Sequence, residues 1–126
     1  MSYIVSQSVL VITKDGVTIN GNVTEQRALV NSGKFTNIQS IGTATELIVF
    51  PADLIAEGVS EIMLKNMDLT NFIEIGLNTP LTQIFAKLLP GQTCKCAVNK
   101  VPTADPTWYA KADTLACNLQ IVAAGT

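Results

Sequence analysis

The chain of 126 residues has no histidine and little charge: eight Lys and Arg against ten Asp and Glu, a net charge of −2, with 14% of residues charged and 48% hydrophobic. Without an imidazole, the Ser-His and Cys-His nucleophilic mechanisms have no base. Without a basic cluster there is no electrostatic footprint for a phosphate backbone, so nucleic acid is not an expected partner. The apolar residues come in runs far short of a bilayer span, so no membrane segment is expected either. A composition this apolar excludes disorder. The N-terminus Met1-Ser2-Tyr3-Ile4-Val5-Ser6-Gln7 has no basic stretch followed by an apolar one, and residue 2 is not Gly, so neither secretion nor myristoylation is signalled and cytoplasmic synthesis is expected.

Cysteine is scarce and odd in number. Cys94, Cys96 and Cys117 suit a reducing compartment better than a disulfide framework. A Cys-x-Cys pair with one distant Cys and no histidine falls short of the four-ligand zinc patterns, so small buried apolar side chains are the simpler reading. Acidic pairs are equally thin. Glu61 and Glu74 lie on two neighbouring β-rich runs, where they could face one another as acid and base, but alternation of polar residues toward solvent explains them as well. Asp68, Asp105 and Asp113 sit in or near loops without the Asp-x-Asp-x-Asp run of a calcium loop. No glycine motif cradles a phosphate. The residues therefore predict no catalytic group, no metal and no cofactor.

What is present is β-structure punctuated by turns. Ser8–Thr13 is β-branched and ends at Lys14-Asp15-Gly16, a hairpin signal that returns Val17–Thr24 antiparallel. Inside that return Asn20-Gly21 reads as a bulge or a second short hairpin. Phe35–Ile41 and Thr45–Phe50 follow as strands, and Ala52–Glu57, between Pro51 and Gly58, as a single helical turn. At the centre, Val59–Lys65 and Phe72–Leu77 flank the break Asn66-Met67-Asp68-Leu69-Thr70-Asn71 and read as a hairpin or two neighbouring strands of one sheet. Asn78-Thr79-Pro80 is a turn, and Leu89-Pro90-Gly91-Gln92 has the residues of a type II turn. Thr93–Val98 is a strand, Asn99–Thr107 an exposed Pro-bearing loop, and Leu115, Cys117, Leu119 and Ile121 alternate along a last strand. Short strands with frequent turns and no long helical period predict a single all-β domain, residues 1–126, built as an antiparallel β-sandwich, jelly roll or small barrel. Residues 1–7 can extend from it as an N-terminal arm.

Trp108 and Tyr109 follow the Pro-bearing loop. Large, rigid and amphipathic, they suit core closure, an intersubunit contact or a platform on which a sugar stacks.

Three segments carry a family resemblance: Ile62-Met63-Leu64-Lys65-Asn66-Met67-Asp68-Leu69-Thr70-Asn71-Phe72-Ile73-Glu74-Ile75-Gly76, then Phe85-Ala86-Lys87-Leu88-Leu89-Pro90-Gly91, then Tyr109-Ala110-Lys111-Ala112-Asp113-Thr114, with Ile41-Gly42-Thr43 ahead of them. In order and spacing they resemble the small virion structural proteins of tailed bacteriophages. The chain departs from that pattern in having Pro90 before Gly91, where the family has Lys or Ala, and in a longer Pro-bearing loop before Tyr109. The resemblance implies a jelly-roll-like, non-enzymatic virion protein, made in the host cytoplasm and seated on the capsid as a decoration or cement protein, with a neck or tail position as its alternative. It also implies a homo-oligomer, a trimer foremost, whose partners are the major capsid protein or other virion proteins. The interface candidates are Tyr3, Ile4 and Val5 in the arm, Pro102 and Pro106 in the loop, and Trp108 and Tyr109. A glycan-binding module built on Trp108 and Tyr109 is the competing expectation.

Overall fold

The computed structural model describes residues 3–28, 34–52, 59–97 and 108–125. The chain divides into two compact units, Met1–Ser32 and Gly33–Thr126. The first is one long hairpin, β1 (Tyr3–Lys14) and β2 (Val17–Ala28), paired without interruption from Lys14↔Val17 to Tyr3↔Ala28. Its two-residue turn has positive φ at both centres, 51° at Asp15 and 77° at Gly16, the mirror-image geometry that matches strand twist. The strands are longer than the β-branched run predicts, because the ladder continues through the polar residues Gln7, Thr24 and Gln26. The bulge expected at Asn20-Gly21 does not form: Asn20 pairs with Val11 and Gly21 with Leu10 in unbroken register. Asp15-Gly16 already supplies the reversal, and Gly21 stays in extended backbone.

The second unit holds β3 (Lys34–Ile41), β4 (Glu46–Leu47), β5 (Val59–Asn66), β6 (Ile73–Gly76), β7 (Ile84–Leu88), β8 (Thr93–Ala97), β9 (Tyr109–Ala112) and β10 (Cys117–Gly125). They form two four-stranded antiparallel sheets, ordered β3-β10-β5-β8 and β4-β9-β6-β7. The two sheets pack together as an all-β sandwich. Its core takes Ile41, Ile62, Leu64, Leu119 and Ile121 from the first sheet and Ile73, Ile75, Leu88, Ala110 and Ala112 from the second. Each fully buried Ile or Leu contributes roughly 1.5–3 kcal/mol of transfer free energy. The alternation read on the last strand is realised, with Cys117, Leu119, Ile121 and Ala123 all buried. Leu115 precedes the strand and is exposed.

The spacing of three in Phe35, Ile38 and Ile41 resolves into a period of two. Phe35 and Ile41 face the core, Ile38 faces out, and the polar Gln39 takes the inward position between them. Gln39 is there as a bridge: its Nε2 donates to the Leu47 carbonyl at 2.9 Å, and its Oε1 accepts from the Val49 N–H at 3.0 Å. That side chain supplies ladder bonds to 47–49, which explains why the run expected over Thr45–Phe50 pairs as a strand only at Glu46–Leu47.

One expectation is overturned at the centre. β5 and β6 are not a hairpin or sheet neighbours; they belong to opposite sheets. The 66–71 break carries the chain across the sandwich, so Glu61 and Glu74 do not face each other. Glu61 opposes Ala97 and Ala124, whereas Glu74 lies between Lys87 and Lys111. The helical turn expected at 52–57 and the loop 99–107, with Pro102 and Pro106, fall outside the described residues apart from Ala52.

Where β6 meets β7 the register slips: Ile75 opposes Ala86 but Gly76 opposes Ile84, which leaves Phe85 as the extra residue. The bulge turns the Phe85 ring against Trp108, with centroids 5.0 Å apart and planes at 59°. Gly76 is where the connection Leu77–Gln83 folds back. A Cβ there would lie 2.5 Å from the Gln83 carbonyl oxygen and 2.6 Å from Leu81 Cδ1. Gly76→Ala is accordingly expected to cost about 1–3 kcal/mol as an overpacking change. Urea unfolding followed by Trp108 fluorescence checks this, and an unchanged midpoint would show that the connection yields freely.

Candidate functional site

The three segments that carry the resemblance, and Ile41-Gly42-Thr43 ahead of them, are separate in sequence and meet at one end of the sandwich. The centre of the meeting is Asn66, the last residue of β5 and fully buried. Its Nδ2 donates to the carbonyl of Asn71 at 2.8 Å and to that of Leu88 at 3.0 Å, and its Oδ1 accepts the Asp68 N–H at 2.9 Å. Its backbone is held as well: the N–H reaches the Gln92 carbonyl at 3.0 Å, and the carbonyl receives the Gly91 N–H at 3.0 Å. One side chain and its peptide groups thus bind the 66–71 crossing to the end of β7 and to the β7–β8 turn. That turn has the geometry its sequence predicts, with φ of 75° at Gly91 and a Gln92 N–H to Leu89 carbonyl bond of 2.9 Å.

The crossing is wound around Asp68. One carboxylate oxygen, Oδ2, accepts the backbone N–H groups of Thr70 at 2.9 Å and Asn71 at 2.6 Å, with the Thr70 hydroxyl and the Asn71 amide at 3.3 Å. The Asn71 N–H, then that of Thr70, favour the ionised carboxylate and hold the Asp68 pKa below its ordinary 3.8. From there Asn71 extends the network: its Oδ1 accepts the Thr114 hydroxyl at 2.7 Å. The Asp113 N–H reaches the Phe72 carbonyl at 3.1 Å, the Met67 N–H reaches Asn118 at 2.9 Å, and the Ala112 N–H reaches Gly42 at 2.9 Å. Gly42 in turn donates to Glu46 Oε2 at 2.9 Å. No buried side-chain nitrogen or oxygen among the described residues lacks a partner.

The chemistry of this knot is that of a fixed scaffold. The Asp68 carboxylate is committed to backbone donors, and the described residues contain no group of three metal-ligating side chains. The cysteines are free. Cys94 and Cys96 sit on one face of β8 with sulfurs 3.5 Å apart, packed half-buried against the core. Burial, then the Cys96 hydrogen bond, pushes the Cys94 thiol up to about 11, and burial followed by the charges of Asp68 and Asp113 raises Cys117. Both are neutral thiols at physiological pH, the opposite of a nucleophilic cysteine.

The sequence-predicted interface residues are scattered. Tyr3 and Val5 are exposed on β1; of Ile4 only the backbone is described. Tyr109 is half-buried on β9, opposite Leu47 and Gly76. Trp108 is 8% exposed and part of the core, with its carbonyl accepting the Ile48 N–H at 2.8 Å. A ring so covered has no open face for a sugar, and of the roles weighed for it the geometry is that of core closure.

Sequence reasoning did not single out the exposed side chains that the knot carries. Leu69, at the tip of the crossing, is 91% exposed, and Met67, Leu89 and Leu115 on the tied loops are exposed as well. Their signal was available: apolar residues inside Asx, Thr and Pro-Gly turns, where solvated turns carry polar ones. Comparison of the chain with protein-family models, curated proteins and solved structures returned no match.

Two outcomes test the knot. Asn66→Leu removes three side-chain hydrogen bonds and leaves the Asn71 and Leu88 carbonyls without their donor; the loss is expected to be about 2–4 kcal/mol, read from the shift of the urea midpoint. Because Asp68 has a depressed pKa in the folded state, its contribution is complete above its unfolded value and is lost as pH falls through the lower, folded one. Acid titration of stability should therefore be shallower below pH 3.8 in Asp68→Asn than in the parent; identical slopes would remove the carboxylate from the account.

Proposed function

We propose that this chain is a structural protein of a tailed-phage virion, a decoration or cement protein of the capsid. The observation that carries the reading is the convergence of its resemblance. Ile62–Gly76, Phe85–Gly91 and Tyr109–Thr114 come from separate parts of the sequence, yet each contributes bonds to the network around Asn66 and Asn71, and Ile41–Thr43 joins the same end through the Ala112 N–H to Gly42 carbonyl bond. A chance likeness of turn residues has no reason to fall on one structural unit.

A cement protein needs a rigid surface that meets the shell without reorganising. The knot supplies this in physical terms: loops fixed before contact lose little conformational freedom on binding. The exposed Met67, Leu69, Leu89 and Leu115 are apolar side chains presented on those loops, and we assign them to the shell contact in preference to Trp108. Each copy needs only a modest contact energy, since repetition over a shell multiplies it.

Quantitative mass spectrometry of purified particles tests the assignment. A copy number near that of the major capsid protein, or a simple fraction of it, is expected. A few copies per particle would move the chain to the neck or tail, and absence from particles would end the reading. Leu69→Asp is expected to lower occupancy on particles at least tenfold while leaving Trp108 fluorescence unchanged.

A further inference from the structure

The hairpin of β1 and β2 raises a separate question. A two-stranded ribbon has no second layer to bury its side chains and is marginal in water by itself. This one is also unusually bare of charge. From Tyr3 to Thr13 and from Gly16 to Thr24 there is no charged residue and no proline; the charges that normally blunt an exposed edge stand only at the two ends of the ribbon, Lys14 beside the turn and Glu25 and Arg27 toward the open end.

The register divides the ribbon into two faces. One carries Leu10, Ile12, Val17, Ile19 and Val23, with Ile12 directly opposite Ile19, and all five side chains are exposed. Gly21 lies in the middle of that face, opposite Leu10. The glycine is not demanded by the hairpin. Its φ is outside the left-handed region, and an added Cβ would meet only the Leu10 carbonyl oxygen at 3.8 Å and the Leu10 Cβ at 4.0 Å, ordinary van der Waals contact. Glycine in a strand interior weakens the strand and commonly marks a place where another chain approaches closely. The notch it leaves is on the apolar face.

We propose that this face packs on the same face of a second copy of the chain. With the two ribbons stacked about a two-fold axis along the strands, each Leu10 lies over the Gly21 notch of the other copy and each Ile12 over the other copy's Ile19. Lys14 then lies over Val17, with its aliphatic stem against the valine and its ammonium in water. No like charges meet. The central stretch of this face, Ser8–Ile12 with Ile19–Val23, holds no charge to select a charged partner, whereas its own copy satisfies both the apolar rows and the notch. Two 12-residue strands make a face about 40 Å long and about 10 Å wide, so the contact covers on the order of 400 Å² per copy. That is the size of a weak, reversible association, and it gains strength where copies are already held side by side. The inference does not depend on the virion reading.

Sedimentation equilibrium of the full chain is the test, with Trp108 fluorescence as the check that the sandwich is intact. The parent is expected to self-associate at tens of micromolar, and Leu10→Lys to weaken this at least tenfold. Gly21→Val is the decisive variant. Valine favours an extended strand, so a hairpin that stands alone, or pairs through another surface, would associate as well as the parent or better. A filled notch instead predicts at least a tenfold loss. A parent that stays monomeric throughout, or a Gly21→Val variant that associates like the parent, overturns the proposal and leaves the particle assignment to its own copy-number test.

Discussion

The sandwich turns on one buried amide. Asn66 sits at 0% exposure, where an unpaired polar side chain would cost about 1–3 kcal/mol, and every capacity of its side chain that the structure uses is directed at backbone. Because its donors are taken by carbonyls from two different parts of the second sheet, the end of β5 is fastened across the sandwich to the start of β6 and to the end of β7. An apolar residue there would fill space equally well but would leave those carbonyls unpartnered. The residue is specific because it is buried; on the surface water would do the same work.

From that constraint the rest of the knot follows. The crossing is short, so its own peptide groups need partners within it, and Asp68 supplies them with a single carboxylate oxygen. Asn71 then has its carbonyl committed to Asn66 and its side chain free to reach Thr114, which draws in the turn before β10. Polar networks of this kind are stabilising only when complete, and this one leaves no described buried side-chain atom unsatisfied. What it immobilises are loops whose leucines are exposed.

The hairpin stands in contrast. It has a long ladder and a well-formed turn, yet its apolar residues remain on the surface. Hydrogen bonding fixes its register, while hydrophobic burial, the term that dominates folding, contributes little within the hairpin itself. The two units therefore divide the physics: one is complete in its core, the other in its ladder alone.

Local chemistry settled much of this protein from the sequence. Asp15-Gly16 needs positive φ, Pro90-Gly91 suits a type II turn, and alternation needs one buried face; each is a property of neighbouring residues, and each appears as read except that the alternation read from Leu115 begins at Cys117. Gln39 was obscured because the apolar spacing of Phe35, Ile38 and Ile41 masked its inward parity, and Gly21 because a glycine after asparagine looks like a turn wherever it falls. The sheet to which each strand belongs was beyond such reading. An Asx-rich break can return a strand to its neighbour or carry it to the opposite layer with the same local bonds, and what distinguishes the two are distant partners such as the Leu88 carbonyl, 22 residues from Asn66. Turns are encoded by dihedral preference over a few residues, whereas layer membership is decided by which distant groups can satisfy a buried one, and that is a property of the assembled fold.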